Sequence, residues 1–132
     1  MRVLALDYGS ARCGCAVCDP SGTIVTPIEV VERPASKRGM GALRALVAER
    51  EVEMVVVGLP LALDGHDTEQ TRETRAFAER LAARLGDAVP VKMHDERFTT
   101  RMAARMPGRP STAEDSRAAA HLLESWLQAQ ER

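Results

Sequence analysis

Three acidic positions along this chain stand where a carboxylate is costly unless it is used. Asp7 ends a strand-like apolar run, Val3-Leu4-Ala5-Leu6. The Asp95-Glu96 pair closes another such run, from Val89 to His94, and periodicity does not choose between the two acids. Asp115 falls in the first turn of the last helical segment. Its spacing to Ala118, Ala119, Leu122 and Trp126 places it on the stripe that packs against the sheet. Each acid has a plainer explanation. Asp7 could begin a turn, Asp115 could serve the positive end of its helix, and Glu96 could pair with Arg97 or Arg101. Together they say more, because acids from strand ends and a helix start can converge at one edge of a sheet. Carboxylate oxygens gathered in that way bind hard divalent cations. A pair of such ions clamps the attacking and leaving oxygens of a phosphodiester.

The elements that must position these acids follow from patterning. Residues 3–7 predict a buried strand, Asp7-Tyr8-Gly9-Ser10 a turn, residues 13–18 a second strand and Asp19-Pro20-Ser21-Gly22 another turn. Thr23-Ile24-Val25 and Ile28-Glu29-Val30-Val31 predict a third strand, broken by Pro27, which completes a meander. After a polar stretch from Glu32 to Gly41, the spacing of Leu43, Leu46 and Val47 predicts a short amphipathic helix. Met54-Val55-Val56-Val57-Gly58 does not alternate, as in a central strand covered on both faces. Leu59 to His66 reads as a loop. Asp67, with Gln70, is the expected cap of the next helix, whose stripe is Thr74, Phe77, Ala78, Leu81 and Leu85 and whose stop is Gly86. A fifth strand runs from Val89 to His94, and the residues from Asp95 to Thr100 open a short helix. Pro107-Gly108-Arg109-Pro110 is a break, and Ser111 with Glu114 caps a last helix with the stripe Ala118, Ala119, Leu122, Trp126 and Leu127. The expectation is one α/β domain over residues 1–132, in the order β-β-β-α-β-α-β-α, with a mixed sheet and helices on both faces.

The 132 residues, 45% apolar and 28% charged, suffice for a soluble domain with its own core. No apolar stretch approaches the roughly 20 residues of a membrane span, and the chain enters its first strand almost at once. No signal peptide and a cytoplasmic location are therefore expected. The net charge of −1 argues neither for nor against a nucleic-acid partner. Cys13, Cys15 and Cys18 form an odd set with no His or Cys cluster to complete a zinc site. In a strand the first two share a face and the third opposes them, so they are read as small core residues.

At the acidic positions the sequence resembles the YqgF/RuvX family of Holliday junction resolvases, a branch of the RNase H-like fold. Four segments carry the resemblance, in order and over nearly the whole chain. Asp7-Tyr8-Gly9-Ser10-Ala11-Arg12-Cys13-Gly14 matches the opening D-x-G-x-x-R-x-G, and Gly58-Leu59-Pro60 with Asp64-Gly65 matches G-L-P…D-G. Asp95-Glu96-Arg97-Phe98-Thr99-Thr100 matches D-E-R-x-T-T, and Asp115-Ser116-Arg117-Ala118-Ala119 with Leu122-Leu123 matches the closing segment. The resemblance implies a five-stranded RNase H-like sheet, with Asp7, Glu96 and Asp115 as catalytic metal ligands and Mg²⁺ or Mn²⁺ as cofactor. It thereby selects Glu96 over Asp95. It also implies processing of the 5′ end of precursor 16S rRNA or, alternatively, resolution of four-way DNA junctions in recombination and repair. In this fold the first strand neighbours the fourth and the fourth neighbours the fifth. Gly58, without a side chain, is then expected to leave room for Glu96 to reach toward Asp7. The segment between Thr100 and Asp115 is shorter than in many relatives.

Arg97, Arg101 and Arg105 recur every fourth residue and form one basic row if the segment is helical; Arg109 extends it, and Arg12 follows the first acidic turn. Such a row suits phosphate contacts, against the alternative of a solvated, salt-bridged face. Thr99 and Thr100 are expected to cap the short helix or to orient Glu96. Aromatic residues are only 3% of the chain, so backbone and shape rather than base stacking should govern recognition of structured RNA or branched DNA. A monomer and a homodimer both remain open, the two-fold symmetry of a junction favouring the latter. Two other functions compete with the nuclease. An Asp-x-Gly-Ser turn also cradles phosphate in actin-like ATPases, but those need two lobes. A non-catalytic nucleic-acid-binding module would have no use for all three acids.

Overall fold

The computed structural model describes residues 1–98 and 112–131. Its elements are β1 (Val3–Asp7), β2 (Arg12–Cys18), β3 (Val25–Glu32), α1 (Lys37–Glu49), β4 (Met54–Leu59), α2 (Glu69–Leu85), β5 (Val91–Asp95), a 3₁₀ turn (Glu96–Phe98) and α3 (Thr112–Gln130). The predicted element order and mixed sheet are both present. The sheet runs β3-β2-β1-β4-β5. β1 pairs antiparallel with β2 and parallel with β4, and β4 pairs parallel with β5. The strands that lack alternation, β1 and β4, are the central pair. Helices cover them on both sides, so neither face can be polar.

Strand parity divides the core in two. Leu4, Leu6, Cys13, Cys15, Val55 and Val57 point to one face and pack with Met40, Leu43 and Leu46 of α1 and with Phe77 and Leu81 of α2. Val3, Ala5, Ala16, Cys18 and Val56 point to the other and pack with Ala119, Ala120, Leu122 and Leu123 of α3. The three cysteines are free and buried, distributed between the faces as their spacing predicts. Hydrogen bonding with Cys15 and burial push the Cys13 thiol up, and the nearby Asp7 and Asp115 carboxylates push it further. The second face includes four alanines, Ala5, Ala16, Ala119 and Ala120, whose small side chains let α3 pack close to the sheet. No helix among the described residues is long and apolar enough to cross a membrane.

Local chemistry moved several boundaries. β3 passes uninterrupted through Pro27, which a strand at the sheet edge tolerates because it has an unpaired side. α1 begins earlier than its apolar spacing indicates, at a Ser36 cap whose side chain accepts from the Gly39 amide. The cap of α2 is Thr68, not Asp67. Thr68 accepts from the Thr71 amide, and Thr71 accepts from the Thr68 amide. Asp67 instead pairs with Arg75 at 3.0 Å. Thr68→Ala should therefore lower stability by about 1 kcal/mol, read as a lower urea midpoint. Asp67→Ala should have a smaller effect, because that pair is half-exposed and screened by solvent. On α3 the buried positions are Ser116, Ala119, Ala120, Leu122 and Leu123, while Ala118 is half-buried. This rotates the packed stripe from its predicted centre and leaves Asp115 half-buried at its margin.

Candidate active site

The alternation that sends Val3 and Ala5 toward α3 sends Asp7 there as well. Asp7 is 8% exposed and stands between two glycines in the row that crosses the sheet. Gly14 pairs with it on β2. Gly58 follows the Leu6–Val57 pair on β4 and is itself paired with His94 on β5. Neighbouring strands lie about 4.8 Å apart, so the space above each glycine is one strand spacing from Asp7.

Backbone of Asp115 and Ser116 fills the first space, and the Glu96 side chain fills the second. A Cβ on Gly14 would overlap the Asp115 carbonyl and lie 3.1 Å from the Ser116 amide nitrogen, so the first turn of α3 sits directly on β2. Ser116 fastens this turn by donating its hydroxyl to the Ile28 carbonyl of β3. A Cβ on Gly58 would collide with Glu96 Oε1 and lie 3.0 Å from its Cγ and 3.1 Å from its Cδ. The Glu96 side chain therefore lies over Gly58, and Glu96 is 6% exposed. Asp7, Glu96 and Asp115 thus come to one end and one face of the sheet. On the opposite face Tyr8 stacks on Phe77, with ring centroids 4.4 Å apart, and anchors the turn after Asp7.

Asp115 faces a cation. Arg12 Nε lies 2.9 Å from Asp115 Oδ2, yet that oxygen, although buried, accepts no aligned hydrogen bond from the described residues. Charge is balanced there while hydrogen-bonding capacity is left over. Among the described residues, no three Asp, Glu, His or Cys side chains stand close enough to hold one ion as they are placed.

Asp95 is spent differently from its neighbour. It accepts from the Arg97 amide at 2.9 Å, from Arg97 Nε at 2.9 Å and from an Arg97 terminal nitrogen at 2.6 Å. Those bonds, led by the Arg97 side chain, hold its carboxyl below the usual carboxylate range. Arg97 also donates to the Leu63 carbonyl at 3.1 Å. Of the basic residues expected to meet phosphate, Arg12 stands at the acids and Arg97 is engaged by Asp95 and Leu63. Arg101, Arg105, Arg109, Thr99, Thr100 and the Ser111 cap lie outside the described residues. Two contributors went unread in the sequence. One is Gly14, whose position between Cys13 and Cys15 already put it on the Asp7 face. The other is His94, which meets Ser125 Oγ at 2.8 Å and the edge of Trp126 at 5.8 Å, tying β5 to α3. Burial pushes the His94 pKa down, against an opposing contribution from Asp95.

Comparison with known proteins agrees with this architecture. Residues 1–129 match the RuvX family model, described as Holliday junction resolvase. A protein of Trichormus variabilis is 40% identical over 134 residues, covering 96% of this chain and 87% of the relative. One of Syntrophus aciditrophicus is 37% identical over 136 residues, covering 98% and 89%. Both carry the provisional name pre-16S rRNA nuclease. Among solved structures, the fowlpox virus resolvase in complex with Holliday junction DNA superposes with a TM-score of 0.62 at 9% identity, covering 100% of both chains. RuvC of T. thermophilus, solved with a Holliday junction substrate, gives 0.59 at 18% identity, covering 99% of this chain and 96% of its own. At these identities the superpositions establish the shared RNase H-like fold.

Proposed function

Since the chain belongs to the RuvX family, we propose that it is a divalent-metal-dependent nuclease whose Asp7, Glu96 and Asp115 bind the ion, acting in the cytoplasm on the 5′ end of precursor 16S rRNA. The observation that carries this reading is the double gap beside Asp7. Gly14 lets the backbone of the α3 turn that carries Asp115 settle on β2, and Gly58 leaves the space that the Glu96 side chain occupies. A carboxylate buried at a strand end is unfavourable on its own, and a cation relieves that cost.

The donor set fits the ion. All donors are carboxylate oxygens, which suit Mg²⁺ or Mn²⁺ better than softer metals. Asp115 Oδ2, buried without an aligned hydrogen bond among the described residues, has capacity for a further partner. A bound divalent ion supplies charge neutralisation at the phosphate and a more acidic water. Asp7, at the centre of the row, would hold the ion together with Glu96 and Asp115. Arg12 balances the charge of Asp115, and a guanidinium is the group best suited to meet phosphate oxygens.

A second reading, cleavage of four-way DNA junctions, is favoured by the description of the matched family. One cleavage panel separates the two. It compares a precursor 16S rRNA 5′ extension, single-stranded RNA and a four-way DNA junction, each with Mg²⁺, Mn²⁺ or chelator. The expected result is cutting of the ribosomal precursor with either ion and none with chelator. Cutting of the junction alone selects the second reading. No cutting of any substrate by folded protein overturns the nuclease.

A further inference from the structure

Arg97 begins the basic row of the sequence, and its spacing suggests a phosphate ligand. Its contacts point elsewhere. The Asp95 carboxylate accepts from both the amide and the guanidinium of Arg97, closing a ring of bonds around the single residue between them, Glu96. An aspartate that accepts an amide two residues on is an Asx turn, which restricts the backbone of the enclosed residue. That residue is the one whose carboxyl lies over Gly58.

The other end of the guanidinium reaches a different element. It donates to the carbonyl of Leu63, at the tip of the loop between β4 and α2. Within this loop the Ala62 amide bonds to the His66 carbonyl at 3.0 Å and the Gly65 amide to the Ala62 carbonyl at 2.8 Å. At its base, Thr71 donates to the Pro60 carbonyl. The tip has no apolar anchor, because the Leu63 side chain is 85% exposed. Arg97 therefore supplies a tether between the loop tip and the end of β5, using a planar fork that Lys cannot reproduce.

We propose that Arg97 is a positioning residue, which locks Glu96 over Gly58 and pins the Leu61–His66 loop beside it, rather than a ligand for substrate phosphate. The proposal rests on the nuclease reading for its kinetic consequence, but the tether can be tested without it. Arg97→Lys keeps the charge and loses the fork, whereas Arg97→Gln loses both. If Arg97 positions Glu96, both variants should lower kcat by about 10- to 100-fold, the loss typical when support for a metal-binding group is removed. KM should stay within about twofold, and the slope of log affinity against log salt should be unchanged. Amide hydrogen exchange over residues 61–66 should accelerate in both variants. If Arg97 instead holds phosphate, Arg97→Lys keeps near-normal activity, and Arg97→Gln raises KM and reduces the salt slope by about one. That outcome, or unchanged exchange in the loop, overturns the proposal. If the wild-type protein cleaves nothing, the nuclease reading fails, and hydrogen exchange alone decides the tether. Arg97 is solvent-exposed, so both variants should retain the wild-type circular dichroism spectrum.

Discussion

Asp7→Asn should abolish cleavage while leaving the fold intact. The substitution keeps the shape of the side chain and removes its charge at the centre of the row formed by Gly14, Asp7 and Gly58. A metal-bound transition state draws several kcal/mol from charge stabilisation. Losing about 4 kcal/mol lowers the rate by roughly 10³-fold. Stability should not suffer, because the amide keeps the size and shape of the carboxyl it replaces. The melting temperature without metal should match or exceed that of the wild type. The rise in melting temperature on adding Mn²⁺, expected of a protein that binds the ion only when folded, should be absent in the variant. Full activity in folded Asp7→Asn protein would remove Asp7 from the chemistry, and an undiminished Mn²⁺ shift would remove it from the ion.

The two glycines beside Asp7 should fail in different ways when replaced by alanine. A methyl group at position 14 meets backbone, namely the Asp115 carbonyl and the Ser116 amide, and neither can retreat without lifting α3 off the sheet. Gly14→Ala should therefore cost about 3 kcal/mol, or roughly 10 °C in melting temperature. A methyl group at position 58 meets the Glu96 side chain, which can rotate away. Gly58→Ala should thus change stability by less than about 1.5 kcal/mol. Activity should nevertheless fall about 10²-fold, because a displacement near 1 Å is enough to disable a catalytic group. Thermal unfolding and kcat measured on the same two proteins give the contrast. Wild-type activity in Gly58→Ala would show that the position of Glu96 over β4 is irrelevant to cleavage.

Most of the fold is legible along the chain because burial leaves a periodic trace. The unbroken apolar runs announced a buried strand in β1 and a central one in β4. The spacing of Phe77, Ala78 and Leu81 announced the buried side of α2, and the alternation of Cys13, Cys15 and Cys18 announced opposite faces. What escaped is governed by single side-chain bonds rather than periodicity. Thr68 displaces Asp67 as the cap of α2 because its hydroxyl and that of Thr71 bond reciprocally to each other's amides. Pro27 sits within a strand because that strand has an open edge.

The candidate site divides along the same line. Sequence alone marked Asp7 and Asp115 as acids at the margins of buried elements and left Asp95 and Glu96 undecided until the family resemblance favoured Glu96. Tertiary structure supplies the physical distinction: Asp95 is taken up by Arg97, and Glu96 lies in the space above Gly58. It also turns Arg97 from the head of a basic row into the partner of Asp95 and Leu63. A sequence records which residues carry charge and which carry no side chain. Only strand order and register decide that the missing side chains of Gly14 and Gly58 flank Asp7, and so where the α3 turn and the Glu96 carboxyl can go.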